Sequence, residues 1–271
     1  MGLIGSAVAQ LTGQKALRTH VAGNKLANEG KVDAANAKYE QALQMYKQAI
    51  RQGNTAPNVH MGYAVLLLRL GRFDQGIEVM QGMRSLRTMT EKDWFELRIN
   101  YAICQWRLGN LDEAIATIGR AAAYAKNSAF YTAQGIFLLE KARKTGGFAE
   151  AMAACREALD YDESDPGALD NMGELYTVLM EKARAGGNSG EADTYRKTAI
   201  EYYEKAHVAR DRQITSIYAL AALYHEEGLD DKARDLLDGT GDLYFSAVCP
   251  VTREMMDALR MEIERNTPPH A

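Results

Sequence analysis

The sequence predicts an all-α fold, a right-handed α-solenoid of about six helix–turn–helix repeats closed by a C-terminal capping helix. The first observation behind this prediction is a recurring spacing of small residues among large apolar ones, as at Ala102, Ala114 and Ala121 on either side of a Leu108-Gly109-Asn110 turn. The second is that only five prolines occur in 271 residues, which suits long helices. Because the same spacing recurs along the chain, the repeats are expected to stack as an array.

Six predicted repeats cover residues 16–242, each with a small residue in its first helix and a turn that contains glycine. Their predicted bounds are 16–49, 57–90, 95–128, 128–165, 166–212 and 214–242. In the fourth and fifth repeats the small residues of the two helices lie further apart, which predicts insertions in the turns. The stretch EKAR recurs there, at 140–143 and 181–184, and predicts an extended first helix in both repeats. Residues 1–15 are expected to form a possible N-terminal cap, 243–266 a C-terminal capping helix, and 267–271 a disordered tail.

Small residues on facing helices allow the helices to approach closely, near the short end of the usual 8–10 Å separation. One helix pair cannot bury enough apolar surface to offset the conformational entropy that it loses, about 1–2 kcal/mol per residue for the backbone. Stacked neighbours supply the missing burial, so stability is expected to spread along the array.

The repeat pattern resembles the tetratricopeptide repeat, a family of 34-residue helix–turn–helix units, over roughly residues 16–240. Two groups of residues carry the resemblance: the large, apolar–small and aromatic places of the first helix, and the alanine–aromatic–alanine places of the second. The first-helix places hold Leu169, Met172-Gly173 and Tyr176 in the fifth repeat, and Ile217, Leu220-Ala221 and Tyr224 in the sixth; the second-helix places hold Ala35, Tyr39 and Ala42 in the first repeat, and Ala199, Tyr203 and Ala206 in the fifth. The closing proline of the family is absent from every repeat. The resemblance implies a protein-binding array whose first helices line a concave groove.

Charge gives no reason to expect a nucleic-acid partner. The formal net charge is −4 and the isoelectric point is about 5.8, so no overall basic field surrounds the chain. Arginines such as Arg84 and Arg98 make the second and third repeats locally basic, but Glu91, Asp93 and Glu96 lie among them. We therefore expect paired surface charges rather than a basic track for RNA.

Cysteine usage and hydropathy favour a cytoplasmic protein without an integral membrane segment. Cys104, Cys155 and Cys249 are widely spaced in apolar surroundings, as expected for buried thiols in a reducing compartment. No run of about 18 apolar residues is present, and no basic stretch precedes the apolar N-terminus. Residues 1–6 fit the short N-myristoylation pattern, but an amphipathic segment is the better interpretation and a lipid anchor is not expected.

No catalytic, cofactor-binding or metal-binding motif is found in the sequence. Residues 23–31 only superficially resemble a phosphate-binding loop, since their glycines are too far apart and no strand precedes them. His225 beside two glutamates is better explained as a histidine at a helix end than as a general base. The chain is therefore predicted not to be an enzyme and not to need a cofactor.

Groove positions carried over from the resembled family give a candidate peptide-binding site of twelve residues. They are Met61, Val65, Leu68, Arg69, Ile99, Ile103, Trp106, Arg107, Ile136, Leu139, Asp170 and Glu174. The middle of this groove is apolar, and Arg69 and Arg107 at one end oppose Asp170 and Glu174 at the other. We expect an amphipathic helix or an extended peptide to bind there. The alternative is that the chain's own N- or C-terminal segment covers these side chains.

The predicted function is thus a non-enzymatic scaffold for protein–protein interaction, with a partner whose identity the sequence does not reveal. Three alternatives stay open: a regulator that senses a peptide in the groove, a homo-oligomerising structural protein, possible as a homodimer through the last helix, and an unrecognised enzyme.

Overall fold

The computed structural model describes residues 3–266, and within this range the chain forms thirteen α-helices and no β-strand. The all-α prediction is confirmed. The helices are α1 (Leu3–Asn28), α2 (Val32–Arg51), α3 (Pro57–Arg69), α4 (Phe73–Met83), α5 (Glu91–Arg107), α6 (Leu111–Ala121), α7 (Ser128–Thr145), α8 (Phe148–Tyr161), α9 (Pro166–Ala185), α10 (Ser189–Ala209), α11 (Ile214–Glu226), α12 (Asp230–Asp238) and α13 (Arg253–Asn266). The first twelve pack as six consecutive pairs, so each predicted repeat corresponds to one helix pair.

Short glycine-containing turns join the helices of a pair. Gly30 and Gly71 adopt φ values of 74°, a left-handed conformation that only glycine reaches without strain. In both turns the next residue closes the helix end in the same way: the Lys31 N–H donates to the Leu26 carbonyl at 2.9 Å, and the Arg72 N–H donates to the Leu67 carbonyl at 2.8 Å. This Schellman geometry satisfies the last carbonyls of the first helix and turns the chain back along it.

Inside a pair, a glycine of the first helix lies against a tyrosine ring of the second. A Cβ atom added at Gly23 would lie 2.7 Å from Cε1 of Tyr39, and one added at Gly173 would lie 2.7 Å from two ring atoms of Tyr203. Both tyrosines are buried. In the first and fifth repeats, the small residue of the first helix is therefore the place where an aromatic ring of the second helix takes the space of a side chain.

The extra residues of the fourth and fifth repeats lie in their helices, which confirms the extended first helices and corrects the predicted turn insertions. α9 and α10 are 20 and 21 residues long, and only residues 186–188 separate them. The turn between α9 and α10 is short because both helices continue, packed against each other, through the residues that were predicted to form a loop. The glycines of this stretch therefore mark a helix end and not a long loop.

Both ends of the array differ from the predicted bounds. α1 begins at Leu3, so the described residues before 16 are the first part of the first helix and not a separate cap. α13 begins only at Arg253, ten residues after the predicted start of the capping helix. The predicted tail, residues 267–271, lies outside the described residues. Residues 1 and 2 of the myristoylation motif lie outside them as well.

The chain divides into two compact units. The first contains the residues up to Ala125 together with Asp242–Val248, and the second contains Lys126–Gly241 together with the residues from Cys249 onward. Asp242–Val248 is not helical, and it belongs to the first unit although it follows twelve helices in the sequence. The boundary between the two units falls between the third and fourth predicted repeats.

α13 closes the second unit by burying one side against α11 and α12. Met256, Leu259 and Ile263 are buried, whereas Met255 and Met261 are exposed. The apolar side of α13 is therefore mostly covered within the unit. Over residues 3–266, no helix is both long enough and apolar enough to cross a lipid bilayer.

Candidate peptide-binding site

The structure divides the twelve predicted groove residues between the two units and between core and surface. Eight lie in the first unit, and Ile136, Leu139, Asp170 and Glu174 lie in the second. Four are buried with at most 6% of their surface exposed, which corrects their assignment to an open groove: Met61, Leu68, Ile99 and Leu139. The other eight are only partly exposed. Met61 Sδ lies 3.8 Å from Asn100 Nδ2 of α5, and Leu68 lies against Gly76 of α4, so neighbouring helices cover these two side chains.

Asp170 is engaged by side chains of α11 within the second unit. The hydroxyl groups of Ser216 and Thr215 donate to its two carboxylate oxygens at 2.5 and 2.9 Å. Burial raises the pKa of the Asp170 carboxyl to about 6, although these two hydrogen bonds act in the opposite direction. Asp170 therefore ties α9 to α11 rather than presenting a free charge.

Glu174 is engaged in the same way. It accepts a hydrogen bond from the Tyr203 hydroxyl at 2.9 Å and forms an ion pair with Arg143. The two acidic residues predicted to set the polarity of a groove thus both serve contacts inside the second unit. The predicted arginine-to-acid polarity has no support in their surroundings.

The raised pKa of Asp170 predicts a pH-dependent stability of the second unit. A carboxyl with a pKa of 3.8 when unfolded and about 6 when folded binds more protons in the folded state between these values. Its contribution to the free energy of unfolding is therefore fully present below about pH 4 and is lost as the pH rises to about 6, by at most about 3 kcal/mol. Chemical denaturation of the wild type and of Asp170→Asn at several pH values measures this loss as their difference.

The exposed Asp160→Asn variant is the matched control for this measurement, since it removes a carboxylate from the same unit without removing a buried contact. Its difference from the wild type should not change between pH 4 and 6. A wild-type minus Asp170→Asn difference that stays constant over that range would contradict the assignment.

Arg69 lies at one end of the predicted surface, where it is stacked between two aromatic rings. Its guanidinium carbon lies 5.4 Å from the ring centre of Tyr39 and 5.6 Å from that of Tyr244. The two rings meet edge to face at 5.6 Å. Arg69 is thus held by cation–π contacts within the first unit.

The Asp242–Val248 segment supplies Tyr244 and lies along the turns of the first two repeats. The Ala247 N–H donates to the Arg69 carbonyl at 3.0 Å, and the Tyr244 hydroxyl donates to Asn36 Oδ1 at 3.2 Å. A Cβ atom added at Gly71 would lie 3.1 Å from Cβ of Ala247. Tyr244 and Val248 each pack on an apolar cluster of this unit. A segment of the chain itself therefore occupies one end of the predicted site, as the alternative interpretation allowed.

Beyond this segment, the face formed by α3 and α5 keeps several partly exposed apolar side chains. Val65 of α3 and Ile103 of α5 lie over the same apolar cluster. Trp106 follows Ile103 by one helical turn, and the Arg107 guanidinium lies 5.4 Å from its ring centre and 5.9 Å from that of Phe73. We call Val65, Ile103, Trp106 and Arg107 the α3–α5 face.

Sequence reasoning missed the Asp242–Val248 segment because it assigned these residues to a capping helix. A signal was present: the apolar run Leu243-Tyr244-Phe245 lies between Gly241 and Pro250, as expected for a short segment bounded by residues that disfavour helix. Its binding place could not be inferred, because its contacts join residues about two hundred positions apart in the chain.

Helix pairs of this geometry, joined by glycine turns and stacked within each unit, define the class of helical repeat proteins. In sequence, residues 33–87 match the family model of the tetratricopeptide repeat. Over this stretch the chain is similar to the tetratricopeptide repeat, and the rest of its described length shares the helical-repeat fold. No curated protein matches it in sequence.

Solved structures share the fold at low sequence identity. The human IFIT1 dimer with PPP-AAAA aligns with a TM-score of 0.61 at 19% identity, covering 84% of this chain and 50% of that one. A tetratricopeptide repeat protein from Parabacteroides merdae aligns with a TM-score of 0.54 at 12% identity, covering 90% and 86%. PilW, a type IV pilus biogenesis factor, aligns with a TM-score of 0.55 at 17% identity, covering 88% and 98%. The chain spans about half the length of IFIT1, and these likenesses concern the fold alone.

Proposed function

We propose that this chain is a non-enzymatic protein-binding scaffold that takes a peptide on the α3–α5 face of its first unit. One observation supports this proposal above the others: the first unit already holds a non-helical segment, Asp242–Val248, at the edge of that face. The helix ends of the first unit thus provide backbone and side-chain groups that can bind a peptide.

The contacts of this segment indicate the chemistry of recognition. A backbone N–H pairs with the free carbonyl at the end of α3, and an aromatic side chain stacks on Arg69. Aromatic anchors of this kind are frequent among the residues that contribute most to binding at interfaces. A partner peptide with apolar or aromatic side chains would bury Val65, Ile103 and Trp106, while its carboxylates would find Arg107 nearby.

The partly exposed apolar face and the buried thiols of Cys104 and Cys155 suit an adaptor in a reducing compartment such as the cytoplasm. A regulator that senses a peptide would use the same face. The IFIT1 structure carries PPP-AAAA, but at 19% identity that ligand supports no assignment for this chain. A nucleic acid therefore enters only as an outcome of the test.

Selection from a random peptide library on the immobilised protein tests the proposal. We expect the enriched peptides to be apolar or aromatic, and the affinity of a labelled one to fall at least about tenfold in Trp106→Ala and in Ile103→Ser, as for residues at the centre of an interface. Fluorescence polarisation measures the affinity, and thermal unfolding checks that the variants fold.

Met261→Ser is the matched control, because this exposed methionine lies on α13 in the second unit. Its peptide affinity should equal that of the wild type. Three outcomes would overturn the proposal: no enriched peptide, equal affinities in all variants, or displacement of the peptide by a triphosphorylated oligoadenylate that binds the same face more tightly. Light scattering on the wild type tests the homodimer alternative separately.

A further inference from the structure

A second surface of the first unit carries a charged pocket between α5 and α6. Its volume is about 470 Å³, within the range of small-molecule sites and several times larger than a phosphate ion. Its polar and aromatic lining consists mainly of Arg84, Trp94, Arg98, Tyr101, Glu113 and Arg120. The pocket shares no residue with the α3–α5 face.

The two surfaces use opposite sides of α5. Trp94, Arg98 and Tyr101 follow one another at helical spacing on the side towards the pocket, whereas Ile103 and Trp106 lie on the other. At about 100° per residue, the two stripes are separated by roughly 140° around the helix axis. A ligand in the pocket would therefore leave the α3–α5 face open.

Aromatic rings hold two of the arginines in place. The Arg98 guanidinium carbon lies 5.4 Å from the ring centre of Trp94 and 4.5 Å from that of Tyr124, and one of its N–H groups donates to the Trp94 carbonyl at 3.2 Å. Arg84 lies 5.7 Å from the ring centre of Tyr101. Stacking uses the face of a guanidinium group and leaves N–H groups at its edge available for an oxyanion.

No carboxylate of the described residues pairs with Arg84 or Arg98, which corrects the expectation of paired surface charges. The acids that lie near them in the sequence are engaged elsewhere. Glu96 pairs with Lys92 at 3.7 Å, and Asp93 accepts hydrogen bonds from Thr90 at the start of α5. Two arginines of one pocket therefore have no ion pair with a carboxylate among the described residues.

The third arginine shows how the pocket receives an oxyanion. Arg120 donates to the Glu113 carboxylate at 2.7 Å and to the Thr117 hydroxyl at 2.6 Å, and this hydroxyl donates to the same carboxylate at 3.0 Å. Glu113 neutralises only one of the three guanidinium groups. The lining thus keeps a formal charge of +2, since it holds three arginines and one glutamate.

We propose that this pocket binds a phosphate monoester whose carbon portion is flat and apolar. The charge of such a group, about −1.5 to −2 at pH 7, matches that of the lining. Arg84 and Arg98 donate to the phosphate oxygens, and Leu97 and the two aromatic rings of α5 receive the apolar portion. Both a phosphotyrosine side chain and a free nucleoside monophosphate have this chemistry.

Calorimetric titration with phenyl phosphate tests the proposal, with inorganic phosphate and phenol as the two halves of the ligand. We expect phenyl phosphate to bind at least about tenfold more tightly than inorganic phosphate, and phenol to bind weakly. Arg84→Gln and Arg98→Gln should each weaken phenyl phosphate binding about tenfold or more, as expected for the loss of a charge-assisted hydrogen bond. Arg84 is exposed, so its variant tests the pocket even if Arg98→Gln unfolds.

Arg87→Gln is the matched control, because it removes the same charge from an exposed position three residues beyond Arg84 and outside the pocket. It should bind as the wild type does. Equal affinity for phenyl phosphate and inorganic phosphate, an equal loss in Arg87→Gln, or no binding at all would overturn the proposal. The proposal would also be overturned by a phosphorylated oligonucleotide that prevents phenyl phosphate from binding, if its own binding does not depend on Arg84 and Arg98.

Two further titrations separate the sources of the ligand. Tighter binding of a phosphotyrosine peptide than of adenosine monophosphate would support a protein-borne ester, and the reverse order would support a free nucleotide. Because the peptide-library test uses other residues, its failure and the failure of this proposal can be told apart.

Discussion

Replacing Tyr203 by alanine is expected to lower the free energy of unfolding of the second unit by about 3–5 kcal/mol, the usual cost of removing a buried aromatic ring. Tyr203 is 1% exposed, and its ring covers the glycine surface at Gly173. Gly173, which faces the ring, has no side chain that could fill the cavity left by the substitution. Urea denaturation followed by circular dichroism measures the loss.

Two variants distinguish the contribution of the buried Tyr203 ring to the free energy of unfolding from that of its hydroxyl group and from the effect of removing an exposed tyrosine. Tyr203→Phe removes only the hydrogen bond to Glu174, and it should cost about 0.5–1.5 kcal/mol because Glu174 keeps its ion pair with Arg143. Tyr161→Ala, at a position that is 52% exposed, should cost less than the buried substitution. A similar loss in Tyr203→Ala and Tyr161→Ala would contradict the packing described for the pair.

The opposite change, Gly173→Ala, is expected to destabilise the second unit by about 1–3 kcal/mol, although alanine is the better helix former. The added Cβ would lie 2.7 Å from the buried ring of Tyr203, which has no room to move away. Gly23→Ala should behave in the same way in the first unit, where the ring belongs to Tyr39. Thermal and urea denaturation of both variants measure the effect.

Glycines that face open space provide the control of opposite sign. A Cβ atom added at Gly82 of α4 or Gly119 of α6 would meet nothing within 4 Å. Alanine at either position should therefore stabilise its helix by roughly 0.5–1 kcal/mol. Stabilisation by alanine at Gly173 as well would show that the tyrosine contact does not limit the approach of the helices.

The positions of the repeat helices followed from the sequence because their signals are local. A small residue of the first helix faces an aromatic residue of the second helix at Gly23 and Tyr39, and again at Gly173 and Tyr203. Glycine turns such as that at Gly71 mark the end of a first helix. The turn of the fifth repeat was predicted too long, because the lengths of α9 and α10 depend on contacts that the repeat does not encode.

The candidate site was predicted less well than the fold, because the exposure of each site residue depends on side chains from neighbouring helices. Leu68 and Ile99 lie at groove positions of the family pattern but are covered by the adjacent helices. Asp170 and Glu174 met hydroxyl and guanidinium partners on other helices, so they offer no free charge. Trp106 and Ile103 remain partly exposed, as a docking face requires.

By itself, the sequence determined the fold class, the number of helix pairs and the places where helices approach each other, because each depends on residues within about forty positions. Only the tertiary structure decided that Asp242–Val248 packs on the first unit and that Arg84 and Arg98 share a pocket whose one carboxylate, Glu113, pairs with Arg120. Both arrangements join residues from separate helices or distant parts of the chain. Their energies arise from contacts formed only after the repeats have stacked, so no periodic pattern along the chain could indicate them.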